Sequence, residues 1–134
     1  MLVGSGLIIN VCFKDHFGRA RPKQILEFGG DKKFTKVFIP SDQCSKNCSF
    51  SSGHAAGAFE FTTLAFIAPL SLRVIAFVLG FTGGMIVGAC RVMQGGHFPS
   101  DVFVSGAVVL LVNYILIIAY NKLVTRSGKK TKQE

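Results

Sequence analysis

The sequence has little charge and no tryptophan. Only 16% of its 134 residues are charged, whereas an ordinary soluble domain has about 25%. Hydrophobic residues make up 49%, which excludes an intrinsically disordered chain, because disorder requires low hydrophobicity. The cysteines number 4, too few for a disulfide-dense small protein. Since this length allows about one domain, the composition favours a small membrane protein.

The net charge of +8 is concentrated in two polar segments. Residues 14–50 and 122–134 hold the basic surplus, and the apolar part between them, residues 51–121, has balanced charges. A nucleic-acid-binding protein carries its basic residues on a polar folded surface. The hydrophobicity of the middle part therefore argues against a nucleic-acid partner and for a lipid bilayer.

Three apolar stretches predict an all-α fold, a transmembrane helical bundle. The longest runs without charge from residue 102 to residue 121, and a helix needs about 20 such residues to cross the hydrocarbon core. The predicted spans are about 53–69, 73–91 and 100–121, and the short connections between them indicate antiparallel neighbours.

The second stretch carries Gly80, Gly84 and Gly88 at intervals of four residues. Small residues at this spacing form a helix face that another helix can approach closely. Membrane helices also tolerate scattered glycine, so both interpretations stay open. If neighbouring helices are absent, this face is open to lipid or to self-association with a second copy.

The basic tail, residues 124–134, sets the predicted orientation. Lys and Arg next to a membrane span remain preferentially in the cytoplasm, so we expect a cytoplasmic tail. Three spans then place residues 14–50, as a polar loop, and the connection 91–101 together on the outer side. Because the outer loop is basic as well, it points to an anionic ligand there.

Three polar motifs are predicted to meet on this outer side. K-x6-R-P occupies residues 14–22, S-G-H occupies residues 52–54, and R-x5-H-x3-D occupies residues 91–101. The three motifs supply cations that match phosphate oxygens. Ser52 is expected to cap the following helix, whose first N–H groups can hold an anion.

The two motif histidines are candidates for proton transfer and nucleophilic attack. His54 lies in the first turn of its predicted helix, where it can give or take a proton. Asp101 lies one turn after His97, and a carboxylate on one imidazole nitrogen makes the other nitrogen a better nucleophile. We therefore expect a direct hydrogen bond between His97 and Asp101.

In this order the three motifs resemble the type 2 phosphatidic acid phosphatase (PAP2) superfamily. The resemblance implies a phosphoric monoester hydrolase that uses no metal or cofactor and removes phosphate from a membrane lipid through a phosphohistidine. It implies His97 as nucleophile, Asp101 as its orienting partner and His54 as the acid for the leaving oxygen. The phosphate-binding residues that it implies are Lys14, Arg21, Ser52, Gly53 and Arg91.

The chain departs from the family pattern at two positions and in length. Ser51 stands where the family usually has Pro, and Cys90 where it usually has Ser. Integral members have six helices, so residues 1–123 are expected to be a partial PAP2-like domain of three to four C-terminal helices that begins inside the third. An inactive truncated remnant is therefore the alternative function. A soluble vanadate-dependent oxidase with the same motifs is disfavoured by the run 102–121.

The motifs recognise only the phosphate, so they do not determine whether the lipid is lipid A, undecaprenyl pyrophosphate or phosphatidic acid. They also do not distinguish a hydrolase from a phosphotransferase. The segments F-G-R-A-R-P and N-C-S-F-S-S-G-H resemble the bacterial lipid A phosphatase branch. This resemblance implies the bacterial inner membrane, with the active site facing the periplasm. In that compartment Cys44 and Cys48 are candidates for a disulfide.

Four further polar residues are expected outside the chemistry or at its edge. His16 and Arg19 occupy variable positions of the first motif, and we expect them on the loop surface. Glu60 faces either the site or a helix contact, since an intramembrane carboxylate is a functional candidate. Asn113, in the middle of the last span, is expected to form an interhelical hydrogen bond.

Overall fold

The structure, a computed structural model, describes residues 16–130, with side chains up to residue 125. The apolar start, residues 1–13, and Lys14 lie outside the described residues. The described part is helical, and its only β-type pairing is a single bridge between Ile25 and Lys32. The all-α class predicted from the sequence is confirmed.

The polar loop before the helices is packed around aromatic rings. Phe17 contacts Phe50 edge to face at a centroid distance of 4.9 Å, and Phe38 contacts Phe50 at 5.4 Å. Two short 3-10 turns, Pro22–Gln24 and Leu26–Phe28, lie in this loop. Backbone hydrogen bonds also hold the loop, such as those from the Ser41 N–H to the Phe17 carbonyl at 3.0 Å and from the Ser49 N–H to the Arg19 carbonyl at 2.8 Å.

The helical part begins with an interrupted segment. Helix α1, Gly53–Phe59, continues through a 3-10 turn, Glu60–Thr63, into the short helix α2, Leu64–Ile67. Pro69 follows, and Ala68 before it is extended, as a residue preceding proline prefers. At about 1.5 Å per residue the segment covers about 22 Å. The expected span 53–69 is therefore helical over 53–67, and its membrane crossing stays a prediction.

Two long helices form a hairpin behind this segment. After a 3-10 turn, Leu70–Leu72, helix α3 covers Arg73–Met93 and helix α4 covers Pro99–Lys130. Among the described residues, Leu70–Met93 and Pro99–Thr125 are the helical stretches long and apolar enough to cross a membrane. Because α4 continues to Lys130, the first part of the predicted basic tail is helical.

The glycine face of α3 is a packing surface, as one of the two interpretations of the sequence held. Gly80, Gly84 and Gly88 are all buried. A Cβ at Gly84 would lie 2.3 Å from the Phe59 ring, and one at Gly88 would lie 2.2 Å from a Val102 methyl group. Only glycine therefore lets α1 and α4 approach α3 this closely.

A buried polar contact joins the interrupted segment to α4. Asn113 Nδ2 donates to Thr63 Oγ1 at 3.0 Å, so the expected interhelical hydrogen bond is confirmed. Thr63 Oγ1 in turn donates to Glu60 Oε2 at 3.3 Å. Of the two positions expected for Glu60, the structure shows the helix contact.

Candidate active site

The S-G-H motif lies at the start of α1. Ser52 is the N-cap residue, and its Oγ accepts a hydrogen bond from the Ala55 N–H at 3.4 Å. Ser52 is fully buried, whereas the His54 side chain in the first turn is exposed. The cap expected from the sequence is confirmed, and it fixes where the helix begins.

His97 lies in the connection between α3 and α4 and is 2% exposed. Its Nδ1 is 2.6 Å from the backbone carbonyl oxygen of Ser49. A carbonyl oxygen can only accept, so Nδ1 must carry the proton. In the neutral ring Nε2 is then the nitrogen with the free lone pair, which is the form that a nucleophile needs.

The surroundings of His97 favour this neutral ring. Burial lowers the pKa of His97 to about 4 from the ordinary value of 6.5, and the positive charges of Arg21 and Arg91 act in the same direction. The Ser49 carbonyl and the Asp101 carboxylate oppose this shift without cancelling it. Near neutral pH His97 is therefore uncharged, and both arginines are close enough to influence it.

Asp101 does not contact His97 directly, so the expected hydrogen bond is wrong. The nearest carboxylate oxygen of Asp101 is 3.9 Å from His97 Nδ1. That oxygen accepts instead from the Ser49 hydroxyl at 2.6 Å and from the Phe98 N–H at 2.9 Å. Asp101 lies in the first turn of α4, and its side chain turns back to cap the helix N-terminus, as in a capping box.

Arg19 holds the other carboxylate oxygen of Asp101, and its expected place on the loop surface is wrong as well. The ion pair is buried, with Arg19 3% and Asp101 0% exposed. A carboxylate this deeply buried requires a positive partner. The sequence contains a signal for this pair, because the motif cations expected to bind phosphate, Lys14, Arg21 and Arg91, leave Asp101 without a counterion.

The two other described arginines of the motifs keep hydrogen-bonding capacity for a ligand. Arg21 donates from Nη2 to the Asn47 carbonyl at 2.9 Å and remains partly exposed. Arg91 donates from Nη1 to Gln94 Oε1 at 2.7 Å. Its buried Nε–H has no hydrogen-bond partner among the described residues. A buried donor without a partner is costly, and an anion at this place would satisfy it.

The remaining predicted site residues are placed around this centre. Cys44 and Cys48 are joined by a disulfide with a Cα–Cα distance of 5.6 Å, directly before Ser49. Gly53 is the first residue of α1, and no hydrogen bond between His54 and His97 occurs within residues 16–125. The structure thus brings His97, Arg21 and Arg91 together, while Lys14 lies outside the described residues.

Comparison with known proteins identifies the family. The family model of the PAP2 superfamily matches residues 1–125, and the chain belongs to this superfamily. It is 40% identical over 115 residues to a lipid A 4'-phosphatase of Francisella tularensis subsp. novicida (strain U112), covering 85% of this chain and 52% of that protein.

Two further relatives carry similar names. A lipid A 4'-phosphatase of Rhizobium leguminosarum is 36% identical over 119 residues, which are 89% of this chain and 51% of that protein. A lipid A 1-phosphatase of Rhizobium johnstonii (strain DSM 114642 / LMG 32736 / 3841) is 37% identical over 102 residues, 75% of this chain and 37% of that protein. The chain spans about half the length of these two 4'-phosphatases. No solved structure matches it with statistical significance.

Proposed function

We propose that this chain carries the active site of a membrane phosphatase that removes a phosphate monoester from lipid A. The proposal rests on the observation that His97 is buried and neutral, with its Nδ1 hydrogen-bonded to the Ser49 carbonyl. Two arginines, Arg21 and Arg91, are close enough to influence its charge. The names of the relatives support lipid A as the substrate class. Undecaprenyl pyrophosphate and phosphatidic acid are the comparison substrates.

Binding would place the phosphate against the cationic groups of the three motifs. Arg91 offers its unpartnered Nε–H, and Arg21 adds a partly exposed guanidinium. Guanidinium groups match phosphate oxygens in a planar, charge-assisted geometry. We assign the same role to Lys14, Ser52 and Gly53 from the family motif.

Phosphate transfer would then occur in two steps. In the first, Nε2 of His97 attacks phosphorus, the bond from phosphorus to the lipid oxygen breaks, and His54 protonates that oxygen. In the second, His54 takes a proton from water, the water oxygen attacks phosphorus, and the bond from phosphorus to Nε2 breaks. Inorganic phosphate leaves, and both histidines return to their starting states.

The groups around Nδ1 would stabilise the intermediate. When Nε2 carries the phosphoryl group, the imidazole ring becomes positively charged. Its Nδ1–H remains on the Ser49 carbonyl, and the Asp101 carboxylate at 3.9 Å opposes the new charge. Asp101 therefore acts across a short distance, without a hydrogen bond to the ring.

The hairpin supports a placement in the bacterial inner membrane. The connection that contains His97 lies at one end of α3 and α4, and the basic residues within 122–130 belong to the last turns of α4, at the opposite end. The preference of basic segments for the cytoplasm then puts the C-terminus in the cytoplasm and the active site on the periplasmic side.

Phosphate release from defined lipids tests this function. The full chain in detergent is incubated with lipid A, phosphatidic acid or undecaprenyl pyrophosphate, and the His97→Ala and His16→Ala variants are compared with the wild type. We expect release from lipid A that is lost in His97→Ala and kept in His16→Ala, because His16 is exposed and lies outside the fixed positions of the three motifs. A wild-type chain without turnover on any of the three lipids would contradict the proposal and favour the inactive alternative.

A further inference from the structure

Arg19 is a buried arginine enclosed by two aromatic rings. Its guanidinium carbon lies 4.1 Å from the centroid of the Phe98 ring and 5.5 Å from that of the Phe34 ring. Its Nε donates to the Thr35 carbonyl at 2.9 Å. Arginine over aromatic faces is held by cation–π attraction, so the orientation of the guanidinium is fixed from two sides.

The fixed guanidinium faces the first turn of α4. Arg19 Nη1 donates to Ser100 Oγ at 3.1 Å and to Asp101 Oδ1. The second carboxylate oxygen of Asp101 accepts from Ser49 Oγ at 2.6 Å, and the Ser49 carbonyl accepts from His97 Nδ1 at 2.6 Å. The guanidinium is therefore connected to the imidazole through one carboxylate and one serine.

We propose that Arg19 is a positioning residue for His97. By pairing with Asp101 it keeps the carboxylate on the Ser49 hydroxyl, so that the Ser49 carbonyl occupies Nδ1 and leaves the Nε2 lone pair free. The effect of Arg19 on turnover rests on the proposed phosphatase function, whereas its effect on the His97 ring does not. The position and charge state of the imidazole are properties of the folded chain.

Loss of the guanidinium charge has a defined effect on His97. The Asp101 carboxylate would be uncompensated 3.9 Å from Nδ1, and a negative charge so close favours the protonated ring. Arg21 and Arg91, the other charged groups that act on His97, are unchanged by the substitution. A protonated ring has no free lone pair on Nε2, so the nucleophile is lost over a wider range of acidic pH.

Nitrogen NMR of the histidine rings measures this effect without any turnover. The chain has 3 histidines, so in ¹⁵N-histidine-labelled full-length protein in detergent the His97 signals are assigned by their loss in His97→Gln. The tautomer and the titration midpoint are recorded in the wild type, Arg19→Met and Arg19→Lys. Arg73→Met is the matched control, because Arg73 is an exposed arginine at the far end of α3.

We expect the wild-type ring to be neutral at pH 7 with its proton on Nδ1. Arg19→Met is expected to raise the titration midpoint of His97 by about one pH unit. Arg19→Lys is expected to raise it by about half as much, because the lysine ammonium can replace the contact to Asp101 but not the hydrogen bond to the Thr35 carbonyl. In the phosphatase assay at pH 4, where the shifted midpoint leaves about one fifth as much neutral imidazole, Arg19→Met should lower kcat about fivefold with KM within about twofold. Activity should recover at pH 8, which a purely structural defect would not allow.

An unmoved midpoint and tautomer in folded Arg19→Met would overturn the inference. If that variant does not fold, Arg19→Lys decides, and a midpoint equal to that of the wild type overturns it. If the wild type turns over lipid A but the His97 midpoint is unmoved in the Arg19 variants, the positioning role of Arg19 is contradicted and the proposed function is not. A shifted midpoint in a chain without turnover would contradict the proposed function and support the positioning role.

Discussion

The close contact at Gly80 allows a stability prediction with an internal control. A Cβ at Gly80 would lie 2.5 Å from Thr62 N and 2.7 Å from Phe61 C, and both are backbone atoms that cannot move aside by changing rotamer. A Cβ at Gly83, on the same helix, meets nothing within 4 Å. Alanine at either position gains about 1 kcal/mol of helix propensity, so the difference between the two variants isolates the clash.

Overpacking of this kind costs about 1–3 kcal/mol. We expect Gly80→Ala to be less stable than Gly83→Ala by that amount, which corresponds to a Tm lower by about 4 °C for each kcal/mol. Thermal unfolding of both variants in the same detergent, followed by circular dichroism, measures the difference. Equal stability of the two variants, or a more stable Gly80→Ala, would refute the packing of α3 against the segment 53–67.

Three further predictions concern the site. Because the pKa of His97 is lowered from 6.5 to about 4, kcat/KM should fall as the pH drops through about 4. Between pH 6.5 and about pH 4 the folded state binds fewer protons than the unfolded state, so the stability of the fold should also decrease as the pH falls through this range. If neither kcat/KM nor stability changed with pH there, the result would contradict a neutral, buried His97. Asp101→Asn leaves the Arg19 guanidinium buried without a counterion and should lower the free energy of unfolding by about 3 kcal/mol. Asp31→Asn, at an exposed position, should lower it by almost nothing. Equal losses in the two variants would argue against the buried pair. Arg91→Met should lower kcat/KM about tenfold or more, and activity equal to the wild type would remove Arg91 from the phosphate site.

Local features of the fold could be predicted from the sequence because they depend on neighbouring residues. Ser52 caps α1, Pro99 begins α4, and Pro69 follows the end of the segment 53–67. The glycine spacing on α3 identified a packing surface for the same reason, since a helix places every fourth residue on one face. The partner of that face, the Phe59 ring, could not be read from the spacing.

The arrangement around His97 could not be predicted because it depends on distant residues. The spacing of His97 and Asp101 puts them one turn apart, but it does not determine which way the carboxylate turns. The two residues that decide this, Arg19 and Ser49, are separated from Asp101 by 82 and 52 positions in the chain. Neither residue belongs to the fixed positions of the three motifs.

The central claim, that His97 is the nucleophile, is tested most directly by trapping the phosphoenzyme. Lipid A labelled with ³²P at its phosphate groups is mixed with the full chain, the reaction is quenched within milliseconds in alkali, and the labelled peptide is sequenced by mass spectrometry. The account predicts an acid-labile, alkali-stable phosphate on His97 that is absent in His97→Ala. Phosphate release without label on His97, or label that persists in His97→Ala, would contradict it.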